Sequence, residues 1–154
     1  MFKILLVCTG NTCRSPMAAA LLSEMAAKAG MAGTIVLDSA GIAAAEQAAS
    51  VHAQSVMRQS GLDLDKHCSK QLTLSLLSTA DLVLTMTMSH KRAVASIAAG
   101  MTGKIYTLAE FAGQAGDIVD PFGGSEVEYR KCAEQLRQLL LLAWGKIVCL
   151  AGEN

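Results

Sequence analysis

A cysteine and an arginine near the start of the chain, with five residues between them, form the segment Cys8-Thr9-Gly10-Asn11-Thr12-Cys13-Arg14. A loop of this length can curl so that successive backbone N–H groups point inward and form a concave site for an anion. The Arg14 guanidinium would close that site with a planar pair of donors that matches phosphate. The segment therefore predicts a phosphate-binding loop with a thiol at its base.

The residues that follow this loop favour a reactive thiol. A helix is predicted to begin at Ser15-Pro16, because proline is favoured in the first helical turn. The partial positive charge of the helix N-terminus, together with Arg14 and a hydrogen bond from Ser15, would favour the thiolate of Cys8. Cys8 is therefore the predicted nucleophile. Nucleoside triphosphate hydrolysis is disfavoured, since no Gly-Lys-Ser/Thr follows the loop.

Asp120 is the candidate for proton transfer. A phosphatase needs an acid because an alkoxide, phenoxide or amide-like group leaves phosphorus slowly without a proton. Pro121 restricts the backbone at Asp120, and glycines on both sides of this pair allow a close approach to the phosphate loop. Asp-Pro also begins ordinary turns, so spacing alone leaves a purely structural role for Asp120 open.

Composition narrows the class of protein. The chain has 154 residues, 52% of them hydrophobic, which suits a single domain over residues 1–154. Its 13 Lys and Arg balance its 13 Asp and Glu, so we expect neither a nucleic-acid nor a membrane-surface partner. The apolar run from Leu139 to Gly152 is interrupted by Lys146, which argues against a membrane span. Five cysteines without CxxC spacing predict a cytoplasmic protein with no zinc site.

Apolar strand-like runs alternate with helical patterns along the chain. The predicted strands cover residues 2–7, 34–38, 81–86 and 104–108, and the predicted helices begin at 15 or cover 51–61, 89–99 and 125–147. This alternation predicts an α/β three-layer sandwich in which helices cover both faces of a four-stranded parallel sheet, with strand order 2-1-3-4. Such sheets bind ligands beyond the carboxyl ends of their strands, where Cys8 falls.

Helix ends and faces can also be predicted. Ser89 is the expected N-cap of the helix over 89–99, and Ser125 with Glu128 has the spacing of a capping box at the start of the last helix. That last helix carries one apolar stripe, which is expected to lie in the core and not to bind a cofactor: Cys132, Leu136, Leu139, Leu140, Ala143 and Ile147.

Three segments resemble the low-molecular-weight protein tyrosine phosphatase family: Cys8 to Pro16, Asp38-Ser39-Ala40-Gly41 and Asp120-Pro121-Phe122. The likeness covers nearly the whole chain. It implies a reaction without metal or cofactor, in which Cys8 attacks phosphorus and forms a phosphocysteine while Asp120 protonates the leaving atom. Asp120 then acts as base on the water that releases phosphate, and Arg14 holds the phosphoryl oxygens throughout.

The resemblance also assigns the remaining residues of the site. Asn11 would keep the loop curled, helped by hydrogen bonds from Ser39 and His67 behind it. Without the resemblance these three are a turn residue, a strand-end hydroxyl and a structural histidine. Ser15 would stabilise the Cys8 sulfur as it leaves. The predicted substrate-binding residues are Thr9, Gly10, Asn11, Thr12, Cys13, Ser15 and Phe122.

Thr12 bears on the substrate, because tyrosine-directed relatives commonly carry a bulkier apolar residue there. A threonine hydroxyl can meet guanidinium N–H groups. Thr12, with Met86-Thr87 and the segment from Asp120 to Gly124, looks like the bacterial protein-arginine phosphatase branch. The expected substrate is thus a protein carrying phosphoarginine. Phosphotyrosine remains the alternative, because Thr12 also fits a neutral substitution and Phe122 supplies one ring at the mouth.

Two other classes stay open at this point. The loop also resembles that of thioredoxin-linked arsenate reductases, although no cysteine lies between Cys68 and Cys132 to carry the electron relay. A phosphoprotein-binding module without turnover would need neither Cys8 nor Asp120. Cys13 fits a small buried residue, or a partner that traps oxidised Cys8 as a disulfide. A monomer is expected.

Overall fold

The computed structural model describes residues 1–153 and places a parallel sheet at the centre of the chain. The order of the strands in the sheet is β2-β1-β3-β4, as the sequence predicts. Every neighbouring pair is parallel. The strands are β1 (Phe2–Cys8), β2 (Ile35–Gly41), β3 (Leu82–Thr85) and β4 (Ile105–Thr107).

Helices connect the strands and cover the sheet. Four of them match the predicted helical segments, and two short ones were not predicted because each is under two turns, too short for a periodic pattern. A 3₁₀ turn, Thr102–Lys104, leads into β4. The helices are α1 (Arg14–Lys28), α2 (Val51–Gln59), α3 (Leu74–Thr79), α4 (Met88–Ile97), α5 (Leu108–Phe111) and α6 (Glu126–Gly152).

The sheet is buried on both faces, which is why β1 is an almost unbroken apolar run. Ile4 and Leu6 pack into a core shared with α1, α2, α5 and α6, whereas Leu5 and Val7 pack into a second core with α3 and α4. The predicted three-layer sandwich is therefore confirmed. The six apolar positions predicted for the last helix are buried along α6. Within residues 1–153, no helix has both the length and the hydropathy needed to cross a membrane.

One predicted N-cap and one predicted capping box are wrong. Thr87, not Ser89, caps α4, and its hydroxyl accepts a hydrogen bond from the backbone N–H of His90. Ser125 is the N-cap residue of α6, but its side chain makes no capping bond, and the Glu128 carboxylate lies 3.8 Å from Lys131 Nζ. The capping box of this fold lies instead at the start of α5, where a threonine and a glutamate satisfy each other's backbone N–H groups.

Candidate active site

The segment Cys8–Arg14, which we call the nucleophile loop, joins the end of β1 to the start of α1. Cys8 is 2% exposed, and its Sγ lies 2.9 Å from Ser15 Oγ. Asn11 adopts a φ of 58°, which makes it the one non-glycine residue with positive φ in the described chain. Asparagine tolerates this left-handed conformation better than most residues do, and it turns the loop back on itself.

A buried network behind the loop maintains that turn. Asn11 Nδ2 donates to Ser15 Oγ at 2.7 Å, and Asn11 Oδ1 accepts from the backbone N–H of Lys70 at 3.0 Å. The Asn11 carbonyl oxygen lies 2.7 Å from His67 Nε2, where the resemblance places that histidine. In the described chain the Ser39 side chain makes no hydrogen bond with the loop. Ser39 pairs with Leu6, two residues before the strand end.

The second strand fixes the first residues of the loop. Gly41 lies opposite Cys8 in the sheet, and the backbone N–H groups of Ile42 and Ala43 donate to the carbonyls of Cys8 and Thr9, each at 3.0 Å. A Cβ on Gly41 would lie 2.4 Å from the Thr9 carbonyl oxygen. Only glycine permits this close approach of the two backbones.

Residues 115–124, which we call the acid loop, bring Asp120 to the nucleophile loop. Arg14 Nη2 lies 3.3 Å from Asp120 Oδ2, and Arg14 Nη1 donates to the Ile118 carbonyl at 3.0 Å. The Arg14 side chain is 5% exposed, whereas that of Asp120 is 47% exposed. The buried cation is thus held in place, and the carboxylate beside it remains open to substrate and water.

These groups surround a cavity of about 240 Å³. Five of the seven predicted substrate-binding residues line it, whereas Asn11 and Ser15 are fully buried behind it and therefore support the loop. Phe122 is 73% exposed at the rim. Gln47 also lines the cavity, although the sequence did not indicate a role for it. It lies in an irregular segment between β2 and α2, where no motif or periodic pattern marks it. The lining residues are Cys8, Thr9, Gly10, Thr12, Cys13, Arg14, Gln47, Asp120 and Phe122.

Cys13 connects the loop to the helical layer. Its Sγ lies 3.3 Å from the Tyr129 hydroxyl and 3.4 Å from Ser50 Oγ. Burial, followed by the contact with Cys13, raises the pKa of Tyr129 to about 12. The Tyr129 hydroxyl therefore keeps its proton at physiological pH. Neither Tyr129 nor Ser50 was predicted, since nothing in the sequence relates them to the loop.

His90 is a further residue of the site that the sequence reasoning missed. Its Nε2 lies 2.8 Å from Thr9 Oγ1. Burial and then the Arg14 guanidinium lower the pKa of His90 to about 4, against the opposing influence of Asp117 and Asp120. The signal that could have found it is topological, because His90 follows β3, and β3 lies beside β1 in the sheet.

The site brings together a thiol, a guanidinium and a carboxylate around one cavity. Within residues 1–153, no three His, Cys, Asp or Glu side chains are grouped so that they could hold a metal ion. Cys8 can attack an electrophile in the cavity, Arg14 can bind its oxygens, and Asp120 can exchange a proton with it.

Comparison with known proteins agrees with this geometry. The family described as low molecular weight phosphotyrosine protein phosphatase matches residues 3–144. The protein-arginine-phosphatase of Bacillus subtilis (strain 168) is 42% identical over 139 residues, which are 89% of this chain and 91% of the relative. The low molecular weight protein-tyrosine-phosphatase PtpB of Staphylococcus haemolyticus is 40% identical over 139 residues, 90% of this chain and 94% of the relative.

A solved structure is similar over almost the full length. It is a mutant of the YwlE arginine phosphatase with a phosphorylated active site serine, and it is 38% identical to this chain with a TM-score of 0.87. The match covers 99% of this chain and 95% of that one. Because the family pattern spans nearly the whole sequence and the fold agrees, this chain belongs to the low-molecular-weight protein tyrosine phosphatase family.

Proposed function

We propose that this chain is a protein-arginine phosphatase that acts through a phosphocysteine on Cys8. The observation that carries the proposal is the meeting of Cys8, Arg14 and Asp120 around one cavity. The proposal takes the whole of residues 1–154 as one catalytic domain. The similar arginine phosphatase structure with a phosphorylated active site serine supports a covalent intermediate at the equivalent place.

The first step transfers the phosphoryl group to sulfur. The Cys8 thiolate attacks phosphorus, a P–S bond forms, and the P–N bond to the arginine side chain breaks. The carboxylic acid of Asp120 gives its proton to the departing nitrogen, so that the product leaves as an ordinary guanidinium group. Arg14 and the inward N–H groups of the nucleophile loop hold the three phosphoryl oxygens.

The second step returns the enzyme to its starting state. The Asp120 carboxylate takes a proton from a water molecule, whose oxygen attacks phosphorus and breaks the P–S bond. Ser15 assists the departing sulfur. Because Asn11 Nδ2 donates to Ser15 Oγ, the Ser15 hydroxyl proton is free to point at Cys8 Sγ. A thiolate that accepts this bond is a better leaving group and remains ready for the next substrate.

Arginine is favoured over tyrosine by the walls of the cavity. Thr12 and Gln47 offer polar atoms to a guanidinium, and Phe122 is the one aromatic side chain lining the cavity within residues 1–153. Asp120 would also pair with the positive charge that develops on the leaving group. Phosphotyrosine is the second candidate, and the exposed Phe122 ring supports it because a phenyl group can pack against that ring.

A direct comparison of substrates tests the choice. Hydrolysis of matched phosphoarginine and phosphotyrosine peptides is measured with the natural protein and with Thr12→Ile. We expect a higher kcat/KM for phosphoarginine, and a shift toward phosphotyrosine in the variant, because the hydroxyl is replaced by an apolar surface. A strong preference of the natural protein for phosphotyrosine would reject the arginine assignment and leave the two-step chemistry in place.

The alternative reaction classes lack structural support. An arsenate reductase needs further reactive thiols near the site, yet burial raises the pKa of Cys132 to about 12, and neither Cys68 nor Cys149 is among the residues that line the cavity. Thiol-dependent arsenate reduction without phosphatase activity would favour that class. A binding module would bind phosphoprotein tightly and never form a covalent adduct, which mass spectrometry of an acid-quenched reaction would reveal.

The proposal includes the setting in which the enzyme works. We place it in the cytoplasm as a monomer that needs neither metal nor cofactor and acts on phosphorylated proteins, without nucleic-acid or membrane partners. Full activity in EDTA and a single monomeric species by light scattering are expected.

We further propose that peroxide oxidises Cys8 and that a Cys8–Cys13 disulfide protects it. Dithiol should rescue the natural protein, whereas Cys13→Ser should fail to recover.

A further inference from the structure

The first turn of α4 lies between the two loops of the site and bonds to both. On one side, His90 Nε2 lies 2.8 Å from Thr9 Oγ1, in the residue directly after the nucleophile. On the other side, the backbone N–H of Met88 donates to Asp117 Oδ1 at 2.8 Å, in the acid loop. The acid loop is held there by a second bond, from the Ile118 N–H to the Met86 carbonyl at 3.0 Å.

Packing alone does not explain why a histidine occupies position 90. It is 4% exposed, and within residues 1–153 its Nδ1 is the one buried side-chain nitrogen or oxygen without a hydrogen-bond partner. A buried polar atom left unpaired destabilises the fold, whereas an apolar side chain would fill the same space without that penalty. The contact that distinguishes histidine here is therefore the one that Nε2 makes with Thr9.

The charge state of His90 suits a residue that positions others. Burial and the nearby Arg14 guanidinium hold the imidazole neutral at physiological pH, although Asp117 and Asp120 act in the opposite sense. A neutral ring adds no positive charge beside Arg14 that would compete for the phosphoryl group. The Thr9 bond then stays the same over the pH range in which a cytoplasmic enzyme works.

We propose that the first turn of α4 is a brace that fixes the distance between the nucleophile and the proton donor. His90 is the positioning residue toward Thr9, and Asp117, held by the Met88 N–H, is the positioning residue toward Asp120. The inference rests on the proposed function, because both groups act in the same step only in a phosphatase of this kind. A misplacement of about 1 Å in such a site can reduce the rate a hundredfold.

A pair of amide substitutions separates this role from packing. Glutamine places its side-chain nitrogen near the position of His90 Nε2, whereas asparagine reaches only about as far as Nδ1. We expect His90→Asn to lower kcat/KM about tenfold with phenyl phosphate, and His90→Gln to stay within about threefold of the natural protein. Equal losses in the two variants would overturn the role of His90, and thermal melting records how far each variant is destabilised.

Two substrates with different leaving groups show whether a variant moves the proton donor or only the nucleophile. p-Nitrophenolate leaves phosphorus without a proton, whereas phenolate needs the acid. We expect His90→Asn and Asp117→Ala each to lower kcat/KM, which reports the step in which the leaving group departs, about tenfold with phenyl phosphate and only about twofold with p-nitrophenyl phosphate. Equal losses with the two substrates would mean that the variants disturb the nucleophile alone, and would overturn the brace.

The double variant His90→Asn/Asp117→Ala is the decisive experiment. A brace broken at either end is already lost, so the double variant should be about as slow with phenyl phosphate as the slower single variant. Two independent contacts would multiply to about a hundredfold loss, which would overturn the inference. If the natural protein hydrolyses neither substrate, the proposed function itself fails. Hydrolysis by the natural protein with fully multiplicative losses rejects the brace alone.

Discussion

The nucleophile loop and the acid loop meet at one cavity but are built in opposite ways. In the nucleophile loop Asn11 and Arg14 are at most 4% exposed, and hydrogen bonds between Asn11 and three residues behind the loop hold it in place. In the acid loop Val119 and Phe122 are 76% and 73% exposed. The acid loop is attached by its backbone at Ile118, by the bond from the Met88 N–H to Asp117 and by the pairing of Asp120 with Arg14.

This difference follows from what each loop binds. Every phosphoryl group presents the same three oxygens and the same phosphorus, so a preorganised and buried loop serves all substrates. Leaving groups differ in shape, charge and basicity, and an exposed loop with few contacts can accommodate that variety. The comparison predicts that changes at the buried groups of the nucleophile loop, such as Cys8 and Asn11, affect all substrates alike, whereas changes in the acid loop affect substrates differently.

The largest expected effect is the loss of the nucleophile. Cys8→Ser should lower kcat on the order of 10⁴-fold or more for aryl phosphates and phosphopeptides alike, because the hydroxyl is a far weaker nucleophile. Steady-state rates with substrates of different leaving groups measure this. Cys149→Ser, at an exposed cysteine outside the cavity, is the matched control and should keep the natural rate. Retention of substantial activity by Cys8→Ser would contradict the mechanism.

Loss of the acid should depend on the substrate. Asp120→Asn should lower kcat/KM, which reports the first step, by about 10²-fold or more with phenyl phosphate and by less than about tenfold with p-nitrophenyl phosphate. The reason is that only the first leaving group needs a proton. Asp63→Asn changes an exposed carboxylate elsewhere and serves as the control. An equal loss with both substrates would remove Asp120 from the role of acid and place it among the residues that only shape the cavity.

The two loops should also differ in their contribution to stability. Asn11→Ala removes the hydrogen bonds to Ser15 Oγ and from the Lys70 N–H and places alanine at a positive φ, so we expect the free energy of unfolding to fall by about 2–3 kcal/mol. Val119→Ala, at an exposed position, should change it by less than about 0.5 kcal/mol. Urea unfolding of the two variants measures both values. Similar small changes in the two would mean that the buried network adds little to stability.

The pKa of His90 predicts a pH dependence of stability. Its pKa is about 4 in the folded protein and 6.5 in the unfolded chain, so between these values the unfolded chain binds more protons. Stability attributable to His90 is therefore present above pH 6.5 and decreases as the pH falls, by about 2 kcal/mol from pH 7 to pH 5. His90→Gln should lack this component. Unfolding free energies of both proteins across this range provide the test, and parallel curves would disprove it.

The smallest effect is expected at the rim. Phe122→Ala should lower kcat/KM about threefold for a phosphotyrosine peptide, because one aromatic contact is lost, and change the phosphoarginine value less. Since the ring is largely exposed, the melting temperature should stay the same. A loss that is equal for both peptides would indicate that Phe122 shapes the acid loop and not the substrate preference.

Sequence reasoning found the parts of the site that are contiguous in the chain. Cys8, Arg14 and Ser15 lie within eight residues, so their relation could be derived from loop and helix chemistry alone. The strand alternation likewise predicted the sheet, because a parallel sheet covered on both faces requires apolar runs separated by helices. The strand order agreed with the prediction, although periodicity carries no information about topology. Asp120 became specific only through the family resemblance.

The sequence could not predict features that depend on strand register or on contacts between residues far apart in the chain. Ser39 was expected behind the loop, but the pairing of β1 with β2 places it opposite Leu6, and the Lys70 backbone takes the expected role. His90 lies 81 positions from its partner Thr9, so no local pattern relates them. The cap of α4 was misplaced because two hydroxyl residues stand two positions apart, and either fits the N-cap preference.

The glycine opposite Cys8 has a consequence for attempts to redirect this enzyme to other phosphorylated side chains. At Gly41 even one methyl group would press on the Thr9 carbonyl and move the sulfur relative to the guanidinium. Mutant libraries should therefore leave position 41 unchanged and diversify residues 42–45, where the backbone leaves the sheet. We therefore expect substitutions to be tolerated in the segment that follows Gly41 and to be harmful at Gly41 itself.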